Sequence, residues 1–376
     1  MNTDGYIETS NFVPREALRF EIHLADHCNL NCINCSHYSP LVKGERFLDV
    51  SQYEKDCTRL SELSGGRMER IRLMGGEPLL HPELVRIMEI SRCLFPVGQI
   101  MIVSNGILLS GMKPEFWESC ERNAVDIYIT AYPIGDGKDP MHFRKNKVKI
   151  EKYSDTDRVR MRRNLIRIRG GKDPESNFRS CILANNCIQL RNGRLYTCPT
   201  AAYIPYLADY FDADIPSSEG NSVDIYSAGS LHELYKGLSK PIPLCQFCCC
   251  EDWSTYGDDW RVSERDRYEW IAFTFNDEDV RYLKACDRVY VYGAGEWGGR
   301  TVTWMQDRGI RIEAVVVSDR ADNPSELGGV RVTTVDDVLF SRNDLCLIAV
   351  CGEEKIGIQH RLVEKGVKRI IPLMNV

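Results

Sequence analysis

The sequence predicts an α/β protein in three parts: an incomplete parallel barrel, a small cysteine-rich domain, and a compact doubly wound unit at the C-terminus. Three observations carry this. Short apolar strands alternate with amphipathic helices up to about residue 170, which is the pattern of parallel βα units. From Gly170 to Trp260 the periodicity fades while cysteines and turn residues crowd in. From Asp287 strands alternate with helices again, around a glycine turn.

Leu18 to Ala25 ("LRFEIHLA") alternates like a strand. Ser51 to Leu63 reads as a helix, with Ser51 and Glu54 as a capping box, Tyr53, Leu60 and Leu63 as its apolar face, and Gly65-Gly66 as its stop. Ile71 to Met74 is a strand ending in "GGEP", and Pro82 opens the next helix through Leu84, Ile87 and Met88. Gln99 to Ser104 and Val125 to Thr130 are buried strands; Val148 to Lys152 and Leu165 to Ile168 complete six. Six strands predict a partial (β/α)6 barrel of the TIM type, with functional loops at the strands' C-terminal ends. Glu264 to Asn276 reads as a connecting helix capped by Ser263. In the last part "RVYVYGAGEWGG", "IEAVVVSD", "DLCLIAVCG" and "VKRIIPL" supply the strands. The expected domains are a lead-in over 1–16, the barrel over 17–170, the cysteine-rich domain over 171–282 and the doubly wound module over 283–376.

The chain of 376 residues carries a net charge of −6, which argues against a general nucleic-acid binder. It has no apolar run long enough to span a membrane. Met1 to Arg15 is polar and lacks the apolar core of a signal peptide, so a cytoplasmic location is expected. The 16 cysteines are the unusual feature, and in a leaderless chain they indicate metal or clusters. They group as 28/32/35, 181/187/198 and 245/248/249/250. Cys57, Cys93, Cys120, Cys286, Cys346 and Cys351 are isolated and read as core residues.

"HCNLNCINCSHYSP" (residues 27–40) places Cys28, Cys32 and Cys35 in a C-x3-C-x2-C pattern directly after the first strand. A closed zinc site wants four ligands. Three thiolates suit a [4Fe–4S] cluster with one iron left for a small molecule, although a zinc knuckle completed by His27, His37 or a distant cysteine fits the spacing too. With Gly75-Gly76-Glu77-Pro78 after the second strand and Ser104-Asn105-Gly106 after the next, residues 17 to 170 resemble the radical S-adenosylmethionine superfamily. The resemblance implies that the open iron chelates S-adenosylmethionine and that one electron splits its sulfonium. The resulting 5′-deoxyadenosyl radical removes a hydrogen atom from an unactivated C–H bond. It implies cofactor contacts from Gly75, Gly76, Glu77, Pro78, Ser104 and Asn105. The position before the third cysteine, commonly aromatic in the family, is Asn34, and Tyr38 is the substitute expected to pack on adenine.

"CILANNCIQLRNGRLYTC" (181–198) followed by "CQFC" resembles the twitch form of the SPASM domain. This implies one auxiliary [4Fe–4S] cluster on Cys181, Cys198, Cys245 and Cys248, with Cys187 the rival for the first position. A structural zinc site is the alternative, and Cys249 and Cys250 are in excess. Gly293-x-Gly295-x-x-Gly298 after a strand, with Asp319 ending the next, is a dinucleotide-binding arrangement. The unit resembles half-Rossmann modules attached to enzymes of nucleotide-sugar and cell-surface polysaccharide metabolism.

These resemblances imply a radical enzyme, oxidoreductase or lyase, acting on a hydroxylated small molecule: a sugar or polyol, CDP- or UDP-linked. A flavodoxin or ferredoxin would serve as its reductase. Twitch-type relatives include an aminocyclitol dehydrogenase, in which the auxiliary cluster takes up the second electron. The alternatives are a SPASM-type peptide maturase and a cluster-bearing sensor or electron carrier. Acid–base candidates are His37 and Tyr38, then Glu21 and His23 on the first strand, with Asp126 and Tyr128 weaker.

Overall fold

The computed structural model describes residues 17–130, 132–134, 148–152, 160–216, 219–250, 257–352 and 354–373. The expected lead-in over 1–16 lies outside them. Contacts divide the chain into two units. The first takes residues up to 159 with 170–250 and 260–262; the second takes 160–169, 251–259 and 263–376. Residues 170–250 therefore cluster with the barrel strands.

In the first unit, β1 (Leu18–Ala25), β2 (Arg67–Gly75), β3 (Val97–Ser104), β4 (Val125–Ile129) and β5 (Ile150–Lys152) form a parallel sheet in the order β5-β4-β3-β2-β1. Helices α1 (Val50–Ser64), α2 (Leu84–Leu94) and α3 (Pro114–Arg122) cover one face. Leu18, Phe20, Ile22 and Leu24 of β1 point to that face and share a core with Tyr53, Leu60, Ile87 and Phe116. Burying each such side chain contributes about 1.5–3 kcal/mol. Because strand side chains alternate, Arg19, Glu21 and His23 face the other way, and Glu21 meets Arg72 of β2 there at 2.5 Å.

The sheet does not stop at β1. A hairpin of β6 (Gln189–Arg191) and β7 (Arg194–Tyr196), followed by β8 (Ser222–Asp224), extends it as β1-β6-β7-β8. Asn192 (φ 49°) and Gly193 (φ 72°) form its turn. Two successive left-handed residues are what a tight hairpin needs to match strand twist. Helices α4 (Pro174–Ser180), α5 (Pro199–Phe211) and α6 (Leu231–Leu238) complete the region.

The second unit contains an antiparallel pair of short strands (Arg160–Arg162 with Gly257–Asp259), α7 (Asp277–Lys284) and a six-stranded sheet of β9 (Val289–Tyr292), β10 (Ala314–Val317), β11 (Glu326–Leu327), β12 (Val330–Thr334), β13 (Leu345–Ile348) and β14 (Arg369–Pro372). Their order is β11-β12-β10-β9-β13-β14, parallel except for β11. Helix α8 (Glu296–Gln306) buries Val302 and Met305 with Val289, Val291 and Leu347, while α9 (Glu354–Glu364) buries Leu362 with Tyr290, Val316 and Cys346. The helices thus lie on opposite faces, as the doubly wound reading expects.

Four expectations are corrected. Leu165–Ile168 is not a barrel strand; only Ile166 makes a bridge, to Ile271, and both lie in the second unit. Its neighbour Arg163 is buried against Asp258 at 2.7 Å, so ion pairing and turns hold this stretch. Glu264–Asn276 is not a helix. Asp266 and Glu269 close a capping box around a short 3-10 turn, and Asn276 instead caps α7 by accepting from the amides of Glu278 and Asp279. Helix α1 is capped by Asp49, which accepts from the Gln52 amide, not by Ser51. Of the isolated cysteines, Cys93 and Cys351 are exposed and Cys286 is half-buried. Among the described residues, no helix is long and apolar enough to cross a membrane.

Candidate active site

The three clustered thiols sit in the loop that leaves β1. Asn34 adopts φ 53° and is buried, which explains why an asparagine stands before the third cysteine: the chain must turn left-handed there. The loop is pinned where Ile33 donates to the Arg261 carbonyl at 3.0 Å. Each sulfur has donors around it. The Leu30 amide reaches Cys28 at 3.4 Å, and the Trp260 indole N–H reaches Cys32 at 3.0 Å. The Tyr132 hydroxyl also bonds Cys32, and the amides of Ser39, His37 and Tyr38 surround Cys35. Burial, then the charges of the other thiols, push Cys28 and Cys32 up to about 12. Burial disfavours the thiolates here, and a cationic group shared by the three sulfurs would offset that cost. That donor set fits an iron–sulfur cluster. Among the described residues, no three His, Cys, Asp or Glu side chains converge on a single metal-ion position.

The glycine turn ending β2 is locked to this loop. A Cβ on Gly76 would stand 2.0 Å from the His27 carbonyl oxygen, and one on Gly75 (φ 138°) would stand 2.4 Å from that of Ala25. Only glycines let the two strand exits touch. The amides of Gly76 and Glu77 donate to Ala25 O (2.7 Å) and His27 O (3.2 Å). Glu77 is fully buried and accepts from Ser104 Oγ (2.8 Å), the Asn105 amide (3.0 Å) and the Leu79 amide (3.1 Å). Both its oxygens are engaged, so the carboxylate is a joint between the ends of β2 and β3 rather than an open acceptor. Pro78 opens the short 3-10 turn that Glu77 caps. Asn105 Nδ2 donates to Asn29 Oδ1 at 2.8 Å and reaches Cys28 Sγ at 3.8 Å.

Beside the thiols lies a network that sequence pattern only half discerned. His23 Nε2 is 2.5 Å from His37 Nδ1, and His23 Nδ1 is 2.8 Å from Asp26 Oδ1. Tyr203 stacks on His23 at 3.6 Å, the Tyr206 hydroxyl donates to Asp26, and Arg191 lies 3.8 Å from Asp26. Burial holds both imidazoles below their usual range, so they are neutral at pH 7. Asp26, Arg191, Tyr203, Tyr206, Tyr132 and Trp260 were missed. Only Asp26, adjoining the cysteine motif, carried a local signal; the others come from distant segments. Of the remaining acid–base candidates, Glu21 is taken up by Arg72 and by Gln189 at 2.7 Å, and Asp126 accepts from Gln99 at 2.9 Å.

The second thiol set gathers around α4, α5 and the 3-10 turn Pro243–Phe247. Cys181 ends α4 and accepts from the Ala184 amide at 3.3 Å; Cys198 is the N-cap of α5. Asn177 Nδ2 donates to the carbonyls of Cys245 (2.6 Å) and Cys248 (2.7 Å), fixing their turn. Burial, and then Cys181, Cys248 and Cys245, raise Cys198. Cys250 bonds to both Cys181 and Cys248 and is a fifth thiol of the group. Cys187 is elsewhere: burial pushes it up to about 12, and its charged neighbours are Glu21, Arg72, Arg19 and Arg70 on β1 and β2. Tyr38, expected to pack on adenine, is fully buried; burial first, and then Cys248 and Cys198, push its hydroxyl well above the usual range. The aromatic groups beside the first trio are instead Tyr132 and Trp260, their ring centroids 5.5 Å apart.

In the second unit, Gly293 takes φ 113°, and a Cβ on Gly298 would stand 1.9 Å from the Gly293 carbonyl oxygen, so these glycines seat α8 against β9. Gly295 caps α8 and has open space where a Cβ would go. Asp319 is exposed just beyond β10 and accepts from the Ala321 amide at 3.0 Å.

Residues 22–133 match the family model described as "Radical SAM superfamily". The chain is 36% identical over 106 residues to a probable GTP 3′,8-cyclase of Methanothermobacter thermautotrophicus, covering 28% of this chain and 33% of that protein. It is 25% identical over 268 residues to the GTP 3′,8-cyclase of Peptoclostridium acidaminophilum, covering 65% and 77%. Thus the chain spans about a third of the length of the first relative. Among solved structures, BtrN in complex with AdoMet and 2-DOIA aligns with a TM-score of 0.41 at 18% identity, covering 63% of this chain and 94% of that one. The matched segment holds the cysteine trio, the glycine turn and the Ser104-Asn105 exit of β3, so residues 22–133 are similar to the radical SAM superfamily over the part of the chain that carries the site.

Proposed function

We propose that this chain is a radical SAM enzyme that removes a hydrogen atom from a hydroxylated, nucleotide-linked small molecule, a sugar or polyol, and completes an oxidation or dehydration. The observation that carries the reading is the junction of three strand ends: Cys28, Cys32 and Cys35 are tied to the ends of β2 and β3 by Gly75-Gly76, Glu77 and Asn105. Cys28, Cys32 and Cys35 would hold the [4Fe–4S] cluster, with Ser104, Asn105, Tyr132 and Trp260 lining the cofactor's side. Bound there, cluster and S-adenosylmethionine supply one-electron sulfonium cleavage and hydrogen-atom abstraction. The residues of the chain do the rest. The neutral pair His37–His23, backed by Asp26, can accept the carbinol proton as a ketone forms. Cys181, Cys198, Cys245 and Cys248 would hold the auxiliary cluster that takes the second electron, with Cys250 at hand. Gly293, Gly295, Gly298 and Asp319 would hold the nucleotide, since a bare helix start with space at Gly295 suits phosphate. The barrel, twitch-like and nucleotide-binding parts then divide at about residues 170 and 282, and the reductant is a flavodoxin or ferredoxin.

The names of the cyclase relatives favour a second reading, in which a free purine nucleotide is itself the reacting substrate. One assay separates the readings. Reduced, reconstituted protein is incubated with S-adenosylmethionine and either GTP, CDP- or UDP-linked polyols, or peptides, and 5′-deoxyadenosine is measured. Stimulation by a sugar nucleotide supports the first reading, by GTP the second, and by peptide alone a maturase. Absence of cleavage with an intact cluster sinks all three.

A further inference from the structure

The first cysteine loop is strapped by a segment from far along the chain. Cys32 makes an antiparallel bridge to Val262, and the Ile33 amide donates to the Arg261 carbonyl at 3.0 Å. Residues 260–262 cluster with the barrel strands, so the strap belongs to the first unit. Its first residue, Trp260, is half-buried and donates its indole Nε1–H to Cys32 Sγ at 3.0 Å, across 228 positions of sequence. Its ring packs on Tyr132, the centroids 5.5 Å apart and the planes inclined by 39°. The strap is held by backbone groups, which do not involve the side chain at 260. A phenylalanine there would supply a ring for Tyr132 as well. What tryptophan adds is an N–H, a donor with one proton and no lone pair to offer. That proton goes to a sulfur of the trio. A neutral thiol is a weak acceptor, whereas a thiolate held by iron is a stronger one, so the bond strengthens when the trio holds its cluster. Cys28 differs, because its nearest donor is the Leu30 amide of its own loop, at 3.4 Å.

We propose that Trp260 is a positioning residue for the first cluster: its indole N–H, bonded to Cys32 Sγ, raises the reduction potential of the cluster that the trio holds. This rests on the reading of Cys28, Cys32 and Cys35 as cluster ligands. A hydrogen bond to a ligand sulfur draws charge from it and stabilises the reduced, more negative state. Cys32 is buried, so little water competes for that sulfur. The bond therefore eases entry of the single electron that sulfonium cleavage consumes.

The test uses full-length protein reconstituted anaerobically as wild type, Trp260→Phe and Val262→Ala. Iron and acid-labile sulfide are measured. Electron paramagnetic resonance follows the reduced signal that changes on adding S-adenosylmethionine, while dithionite and mediators set the potential. Trp260→Phe keeps a ring and the strap but loses the proton. It should retain its iron while its equilibrium constant for reduction falls about tenfold, about 59 mV for one electron. Val262→Ala alters the strap but not the donor, and should leave the midpoint in place. An unmoved midpoint in Trp260→Phe, or an equal shift in Val262→Ala, overturns the role of the N–H while leaving the cluster standing. If Trp260→Phe fails to assemble, wild type carrying tryptophan isotope-labelled at the indole nitrogen decides. A nitrogen hyperfine coupling to the reduced cluster is expected there, and its absence overturns the proposal. A wild type in which no reduced signal responds to S-adenosylmethionine removes the first cluster itself, and the role of Trp260 with it.

Discussion

The two cysteine groups are built in opposite ways. The first lies within eight residues of one loop, so the backbone leaving β1 brings its three sulfurs close, and contacts from elsewhere only fix them. The second draws on Cys181, Cys198, Cys245 and Cys248, scattered over nearly seventy residues, with Cys250 beside them. Its assembly needs α4, the β6–β7 hairpin and the 3-10 turn packed together, with Asn177 holding the last two carbonyls. A local group survives changes elsewhere in the chain, whereas a dispersed group reports on the fold that gathers it.

Removing one sulfur from each group should give opposite outcomes. Cys32→Ala should abolish S-adenosylmethionine cleavage and lower iron by about four per chain, leaving the other cluster's spectrum in place. Retained cleavage would show that the trio is not the reactive site. Next in size is the contrast between Cys198→Ala and Cys187→Ala. The first should lose about four irons and turnover while keeping some uncoupled cleavage; the second should keep its full complement. Iron loss in Cys187→Ala alone would reverse the assignment of the second group.

Glu77→Gln probes the joint that ties the trio to β2 and β3. Weakening hydrogen bonds to a buried charged group costs about 1.5–3 kcal/mol, so the unfolding midpoint should fall and the KM for S-adenosylmethionine should rise. An unchanged midpoint would mean that the strand ends are held without it. Acid should act on the network beside the trio. Burial holds His23 below its usual range, outweighing Asp26. The unfolded chain therefore binds the proton first as pH falls through about 6.5, and stability is lost. For Asp26, burial works upward, but His23, Arg191 and Tyr206 outweigh it and hold the carboxyl low, so its contribution is also lost on acidification. Melting temperature should drop steadily from pH 7 to 4, and His23→Gln should flatten the part above about pH 5. The smallest effect is expected at the left-handed turn: Asn34→Gly should be nearly neutral, and Asn34→Ala should cost about 1–2 kcal/mol in chemical unfolding.

Much of the first unit was legible. Strands β1 to β4 follow from two-residue alternation and the glycine and Asn-Gly stops, and the "GGEP" and "SNG" exits sit where strand ends should be. The failures have physical causes. Leu165 to Ile168 has strand composition, but Arg163 finds its buried partner Asp258 ninety-five residues away, and that ion pair holds the stretch in the other unit. Helix α7 starts late because Asn276 is an N-cap, and the same residue type also suits a helix end. The choice between Cys181 and Cys187 had no local signal, because both precede the hairpin; the charges of Arg19, Arg70 and Arg72 mark where Cys187 lies.

What the amino-acid order determined by itself is what lies within one turn or one strand: the C-x3-C-x2-C trio, the glycines that let strand exits touch, the Asn-Gly hairpin and the alternation that gives each strand two unlike faces. Those features depend on backbone geometry over a few residues, so spacing alone encodes them. Only the tertiary structure decided that the hairpin between Cys187 and Cys198 extends the barrel sheet and that Trp260 donates to Cys32 across 228 positions of sequence. These contacts form when burial of apolar faces brings distant segments together, and no local pattern records which segments will meet.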